Sequence, residues 1–113
     1  MGLLKLIKGN STDIDPLHEA NQVISKIKME LPLKSAYLFG SSVNGNFTVD
    51  SDLDIILIFS DSENLTNIQK KLYSKRWSHI AIDFILQTES NFEKRKDLGG
   101  VCFIAFHEGI KLL

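Results

Sequence analysis

The chain has one cysteine, two prolines and one tryptophan in 113 residues, and each scarcity excludes something. A lone thiol, Cys102, cannot close an internal disulfide, so the fold rests on its core and not on covalent staples. Sparse proline and only seven glycines leave no linker-like or low-complexity tract, and no segment repeats. An excess of charge of one sign is also missing: thirteen Lys and Arg stand against fourteen Asp and Glu, a net charge of −1. That balance removes the electrostatic basis for nonspecific binding to duplex nucleic acid. The longest apolar runs, Ile55 to Phe59 and Val101 to Phe106, fall well short of the roughly 20 residues of a membrane-spanning helix. The opening MGLLKLIKGN holds too short an apolar run for a secretory signal. A cytoplasmic protein is expected, with residues 1–113 forming one compact domain.

Ordinary apolar content, 43%, is enough for a core, and its spacing predicts the elements. Asp15 followed by Pro16 makes an N-cap and first-turn pair. Leu17, Ala20, Val23, Ile24 and Ile27 then recur at helical spacing until Leu31-Pro32. Ser35 to Phe39 predicts a short strand ended by Gly40, with a tight turn over Ser41 to Asn46. Leu53 to Phe59, rich in isoleucine and bounded by Asp and Ser, is expected as a central strand buried on both faces. A helix from Ser62 to about Ser74 leads to a strand from Ile80 to Leu86. Ser90-Asn-Phe-Glu93 reads as a capping box, and a second helical piece runs from Val101 to Glu108 before Gly109. Ile110 to Leu113 is expected to add a short strand.

Chemistry is concentrated in Gly40-Ser41, ten intervening residues, and Asp52-Leu53-Asp54. Two residues apart at a strand start, Asp52 and Asp54 leave the same face of the sheet about 6.5 to 7 Å apart. Hard oxygen ligands so spaced suit Mg²⁺, although an isolated Asp-x-Asp reads more readily as a hydrated strand start. Gly40 allows a sharp turn, after which Ser41 and the following amides can face phosphate oxygens; an ordinary Gly-Ser turn is the alternative. Asp83 lies among Ile80, Ala81, Ile82, Phe84, Ile85 and Leu86. In a strand made for burial its charge requires a basic partner, a metal or a catalytic proton.

Other polar and aromatic groups read as structural. Lys70, Lys71, Lys75 and Arg76, and Lys94, Arg95 and Lys96, form solvated helix faces more readily than a phosphate-steering patch. His18, His79 and His107 share no metal-ligand spacing and are not assigned to the site. Tyr73 and Trp77 are expected as packing anchors rather than base-stacking platforms, and Cys102 as core.

Leu38-Phe39-Gly40-Ser41 through Ser51-Asp52-Leu53-Asp54-Ile55, with Asp83 downstream, resembles the minimal nucleotidyltransferases of the DNA polymerase β superfamily. The resemblance spans roughly Lys34 to Leu86. It implies an α/β (α+β) fold with a small mixed sheet and helices packed mainly on one face. It implies that Asp52, Asp54 and Asp83 hold a two-ion Mg²⁺ site and carry catalysis, with Asp83 completing the second ion or taking the acceptor proton. Gly40, Ser41, Ser42 and Gly45 would then hold the phosphates of ATP or another nucleoside triphosphate. Many relatives carry a basic residue just before the second glycine, where Ser42-Val43-Asn44 stand here.

Minimal nucleotidyltransferases commonly accompany a helical HEPN-type protein in toxin and antitoxin pairs, so the resemblance implies AMP transfer to such a partner. The small sheet offers little surface for an acceptor. Ile56 and Ile58 also share the face of Asp52 and Asp54 and require cover from a helix, a second copy in a homo-oligomer, or another protein. A noncatalytic antitoxin module acting by occlusion is the alternative. An antibiotic-modifying nucleotidyltransferase ranks lower, since such relatives generally carry an added helical domain.

Overall fold

The computed structural model describes residues 15–48 and 50–113. Its elements are α1 Pro16–Glu30, β1 Leu33–Phe39, α2 Ser41–Asn44, β2 Leu53–Phe59, α3 Leu65–Leu72, β3 Ile82–Thr88, α4 Glu89–Arg95, α5 Gly100–Glu108 and β4 Ile110–Lys111. The Asp15 side chain accepts hydrogen bonds from the amides of Leu17 at 3.1 Å and His18 at 3.4 Å. This cap and Pro16 in the first turn start α1 where the sequence places it. At the other end Leu31 is already extended, and Pro32 prevents the helix from continuing.

The strands form one mixed sheet in the order β3-β2-β1-β4. β1 runs antiparallel to β2, whereas β2 and β3 are parallel and joined through α3. Strand alternation divides the apolar residues between two cores. Ala36, Leu38, Leu53, Ile55, Leu57 and Phe59 point to one face and pack with Ala20, Val23, Ile24 and Ile27 of α1 and with Ile68 and Leu72 of α3. Tyr37, Phe39, Ile56 and Ile58 point to the other, against Phe92 of α4 and Cys102 and Ala105 of α5. The larger core lies on the α1 and α3 side, but α4 and α5 cover the opposite face too. The cover expected over Ile56 and Ile58 therefore comes from the chain's own helices.

Four local expectations change. The stretch after Gly40 contains a single helical turn, α2, closed by Gly45 at φ 86°. Helix α3 begins at Leu65, because Asn64 and not Ser62 supplies the cap, accepting from the Asn67 amide at 3.2 Å. Helix α4 begins at Glu89, because the Thr88 hydroxyl accepts from the Asn91 amide at 3.4 Å and takes the place expected of Ser90. β3 correspondingly starts and ends two residues later than its apolar pattern predicts, its register fixed by pairing from Leu53 with Ile82 to Phe59 with Thr88.

Trp77 is an anchor, as expected: it is buried in the larger core, and its Nε1 donates to the Leu72 carbonyl at 2.7 Å. Trp77→Phe is expected to lower the unfolding free energy by about 1–3 kcal/mol through the orphaned carbonyl. Urea unfolding measures that loss, and nucleotide affinity should stay unchanged. Among the described residues no helix is long and apolar enough to cross a membrane.

Candidate active site

Because β1 and β2 are antiparallel, the end of β1 lies beside the start of β2. Phe39 is the register partner of Asp54 on one side, and Asp83 is its partner across the parallel pair on the other. Asp54 and Asp83 thus leave the same face of adjacent strands, whose backbones lie about 4.8 Å apart. Asp52 precedes the same strand, held by a turn in which the Ser51 amide donates to the Thr48 carbonyl and the Thr48 amide donates to Ser51 Oγ, both at 3.0 Å.

Gly40 bounds this cluster from the β1 side. Its backbone is at φ 79° and ψ −149°, a region essentially confined to glycine. A Cβ there would sit 3.2 Å from Asp54 Cγ and inside contact distance of Oδ2. The glycine therefore makes the turn and also leaves room for the Asp54 carboxylate, a second reason that needs the β1 and β2 pairing to be seen.

Asp54 is half-buried, while Asp52 and Asp83 are exposed. Burial first, then the negative charges of Asp83 and Asp52, hold the Asp54 carboxyl above the usual carboxylate range. The exposure of Asp83 corrects the sequence reading of a buried strand: β3 is the edge of the sheet, so its apolar neighbours need not enclose it. It consequently needs no basic partner in the core.

The four residues expected at the phosphates are divided. Gly40 and Ser41 sit at the start of α2, next to Asp54, and the amides of Val43 and Asn44 close on the Gly40 carbonyl at 3.0 and 3.3 Å. The amides of Ser41 and Ser42 precede them, at the positions a first helical turn leaves without an intrahelical acceptor. The Ser42 hydroxyl donates to the Phe39 carbonyl at 3.1 Å and so ties the turn to the end of β1. Gly45 is exposed at the far end of α2, where a Cβ would touch nothing; its conformation, not proximity to the carboxylates, accounts for it.

Two clefts open beside the cluster. One of about 300 Å³ is lined by Phe47, Asp50, Ser51, Asp52, His79, Ile80 and Ala81. His79, set aside on the sequence, thus borders the cleft of Asp52; no spacing signal joins residues so far apart in the chain. The other, also about 300 Å³, is lined by Gly40, Val43, Asn44, Ile104 and Glu108. Several other ionic groups are engaged elsewhere. Lys75 pairs with Glu30 and lies over Trp77, Lys96 pairs with Glu93, and His107 contacts Asp97 at 2.7 Å.

Residues 20–112 match the family model described as the nucleotidyltransferase domain. The chain belongs to that family. No curated protein matches it. Among solved structures it resembles one from Sulfolobus solfataricus titled a "putative nucleotidyltransferase", at 24% identity and a TM-score of 0.56. The likeness covers 81% of this chain and 86% of the other, and it bears on the fold. A small mixed sheet with helices on its faces is accordingly the nucleotidyltransferase architecture.

Asp52, Asp54 and Asp83 carry the hard oxygen chemistry that Mg²⁺ takes. All three offer hard carboxylate oxygens, burial and then the charges of Asp83 and Asp52 raise Asp54, and a side chain at Gly40 would obstruct the Asp54 carboxylate. Among the described residues no three His, Cys, Asp or Glu are placed to hold a metal ion between them.

Proposed function

We propose that this chain transfers AMP from ATP to a hydroxyl group on a helical protein partner of the HEPN type, in a Mg²⁺-dependent reaction characteristic of the minimal nucleotidyltransferases. The observation that carries the reading is Asp54, set between Gly40 just past the end of β1 and Asp83 on β3. In the reaction the acceptor oxygen forms a bond to the α-phosphorus, the bond from that phosphorus to the β-phosphate bridging oxygen breaks, and pyrophosphate leaves. The acceptor proton passes to a carboxylate, with exposed Asp83 the candidate. Asp52 and Asp54 would hold Mg²⁺, which neutralises charge on the triphosphate and on the departing pyrophosphate. Ser41, with the amides that open α2, would hold the outer phosphate oxygens. Positioning and charge neutralisation supply most of such catalysis.

A second reading is a binding module that silences its partner by occlusion. It draws on the uncharged Ser42-Val43-Asn44, on the Ser42 hydroxyl already donated to Phe39, and on acidic Glu108, which lines the Gly40 cleft. Incubation with the partner and ATP labelled at the α- or the γ-phosphate separates the two. Label from the α position alone, lost on chelation of Mg²⁺, supports AMP transfer. A tight but unlabelled complex favours occlusion, and γ label on the partner contradicts both.

A further inference from the structure

Basic residues are unevenly distributed along the chain. Between Glu63 and Asp83 there is no acidic residue, and the same stretch holds Lys70, Lys71, Lys75 and Arg76 in a chain of net charge −1. Lys70 and Lys71 close α3, and Lys75 and Arg76 follow in the turn that leads to β3. Hydrogen bonds hold that turn in one shape. Arg76 donates from Nε to the Ser78 carbonyl at 2.9 Å and from Nη2 to the His79 carbonyl at 3.3 Å, and the Ile80 amide donates to Ser78 Oγ at 3.1 Å. Helix α1 ties it down: Lys26 donates to the Trp77 carbonyl at 3.4 Å, and the Ser78 hydroxyl donates to Glu19 at 3.2 Å. Three clefts meet around the turn. A cavity of about 340 Å³ has Tyr73, Lys75, Arg76 and Trp77 in its lining, and one of about 290 Å³ is lined by Lys26, Arg76, Trp77, Ser78 and His79. His79 also lines the cleft of Asp52, and Ile80 and Ala81 are common to that cleft and the larger cavity. Neighbouring clefts thus share walls from the basic turn to Asp52.

We propose that the turn from Lys75 to His79 docks an acidic segment of the acceptor protein, with Asp or Glu side chains seated among Lys26, Lys75 and Arg76 and the reacting hydroxyl carried on toward Asp52. The inference rests on the transfer to a protein proposed above and adds where, and by what chemistry, that protein is held.

Charge selects the occupant. Five cations, Lys26, Lys70, Lys71, Lys75 and Arg76, stand against two carboxylates: Glu30, paired with Lys75, and Glu19, which accepts from Ser78 and lies 3.9 Å from His79. The excess is positive, so the complementary surface is anionic. Arg76 supplies its fixed part. Two carbonyls orient the guanidinium, no carboxylate pairs with it among the described residues, and its planar fork matches a carboxylate. Tyr73, 54% exposed, adds aromatic surface beside these charges. At the other end the sign reverses, because Asp50 and Asp52 line the last cleft. A nucleic-acid strand, negative at every residue, would bring phosphates up to those carboxylates. A peptide can place its acidic side chains at the basic turn and a neutral hydroxyl beside Asp52.

Trp77 is the single tryptophan of the chain and lines both basic clefts, so its fluorescence reports docking without ATP or Mg²⁺. A peptide carrying a tyrosine followed by a run of glutamates should alter that fluorescence, with an affinity that falls as salt rises, and the counterpart with lysines should not. Arg76→Gln should weaken the acidic peptide about tenfold and leave ATP binding unchanged. If Arg76→Gln loosens the turn, Lys70→Glu combined with Lys71→Glu, both exposed, should weaken the peptide in its place. In transfer of α label to the acceptor protein, the same substitutions should raise KM for that protein and preserve kcat. Unaltered fluorescence with the acidic peptide, or equal binding of the lysine counterpart, overturns the proposal. So does tighter binding of a single-stranded oligonucleotide, which assigns the turn to nucleic acid. Transfer with unchanged KM in the variants refutes the docking site and leaves the reaction intact, whereas docking of the peptide with no label transferred supports the docking site and refutes the reaction.

Discussion

Asp54→Asn should lower nucleotidyl transfer by about 100- to 1000-fold, the scale on which removal of one electrostatic group from a reacting centre is felt, and it should raise thermal stability at neutral pH. The two effects have one origin. Burial and the charges of Asp83 and Asp52 hold the Asp54 carboxyl above its ordinary range in the folded protein. Between the unfolded and folded pKa values the native state binds the extra proton, so stability falls as pH rises through that window. At neutral pH the charged form carries the full penalty, which asparagine removes. Below the ordinary carboxylate range Asp54 is protonated in both states, and the advantage of the variant should vanish. Melting curves of the two proteins should therefore separate at neutral pH and converge in acid. Mg²⁺ should raise the melting temperature of the parent but much less that of the variant. Equal stability at neutral pH with unchanged turnover would remove Asp54 from the site.

Gly40→Ala is expected to damage both fold and activity. The backbone at φ 79° and ψ −149° costs a non-glycine residue about 1–3 kcal/mol, and the new methyl group also displaces the Asp54 carboxylate. A displacement of about 1 Å at a reacting centre can cost about 100-fold in rate. Urea unfolding and α-label transfer measure the two losses. If transfer by folded Gly40→Ala stays within about twofold of the parent, Gly40 serves the turn alone. Replacing Gly45, whose Cβ would meet nothing, should cost conformational strain with little effect on the carboxylates.

How much of this was legible depended on whether the deciding interactions were local. Helix α1 could be read to the residue, since Asp15, Pro16 and Leu31-Pro32 mark its ends within the segment itself. β2 was equally plain, because a continuous apolar run between polar clusters leaves few alternatives. The shift of β3 was not readable: Gln87 and Thr88 are polar and join the strand only because Ile58 and Phe59 stand opposite. For the same reason the apolar company of Asp83 suggested burial, whereas position at the edge is a property of strand order. The Gly-Ser turn and Asp-x-Asp spacing pointed to the candidate site, but the closeness of Gly40 to Asp54 and the His79 border of the Asp52 cleft needed three-dimensional neighbours.

The parallel register of β2 and β3 also governs when the site comes into being. Asp54 and Asp83 meet only after the chain has left one strand, formed α3 and returned alongside in the same direction. No fragment short of that crossover contains the pair, and the returning strand must bring a second negative charge up to the first. Closure of such a long-range contact is slow relative to local helix formation. During refolding, helical signal should accordingly recover ahead of catalysis, and catalytic recovery should quicken at higher ionic strength as the approach of the two carboxylates is screened.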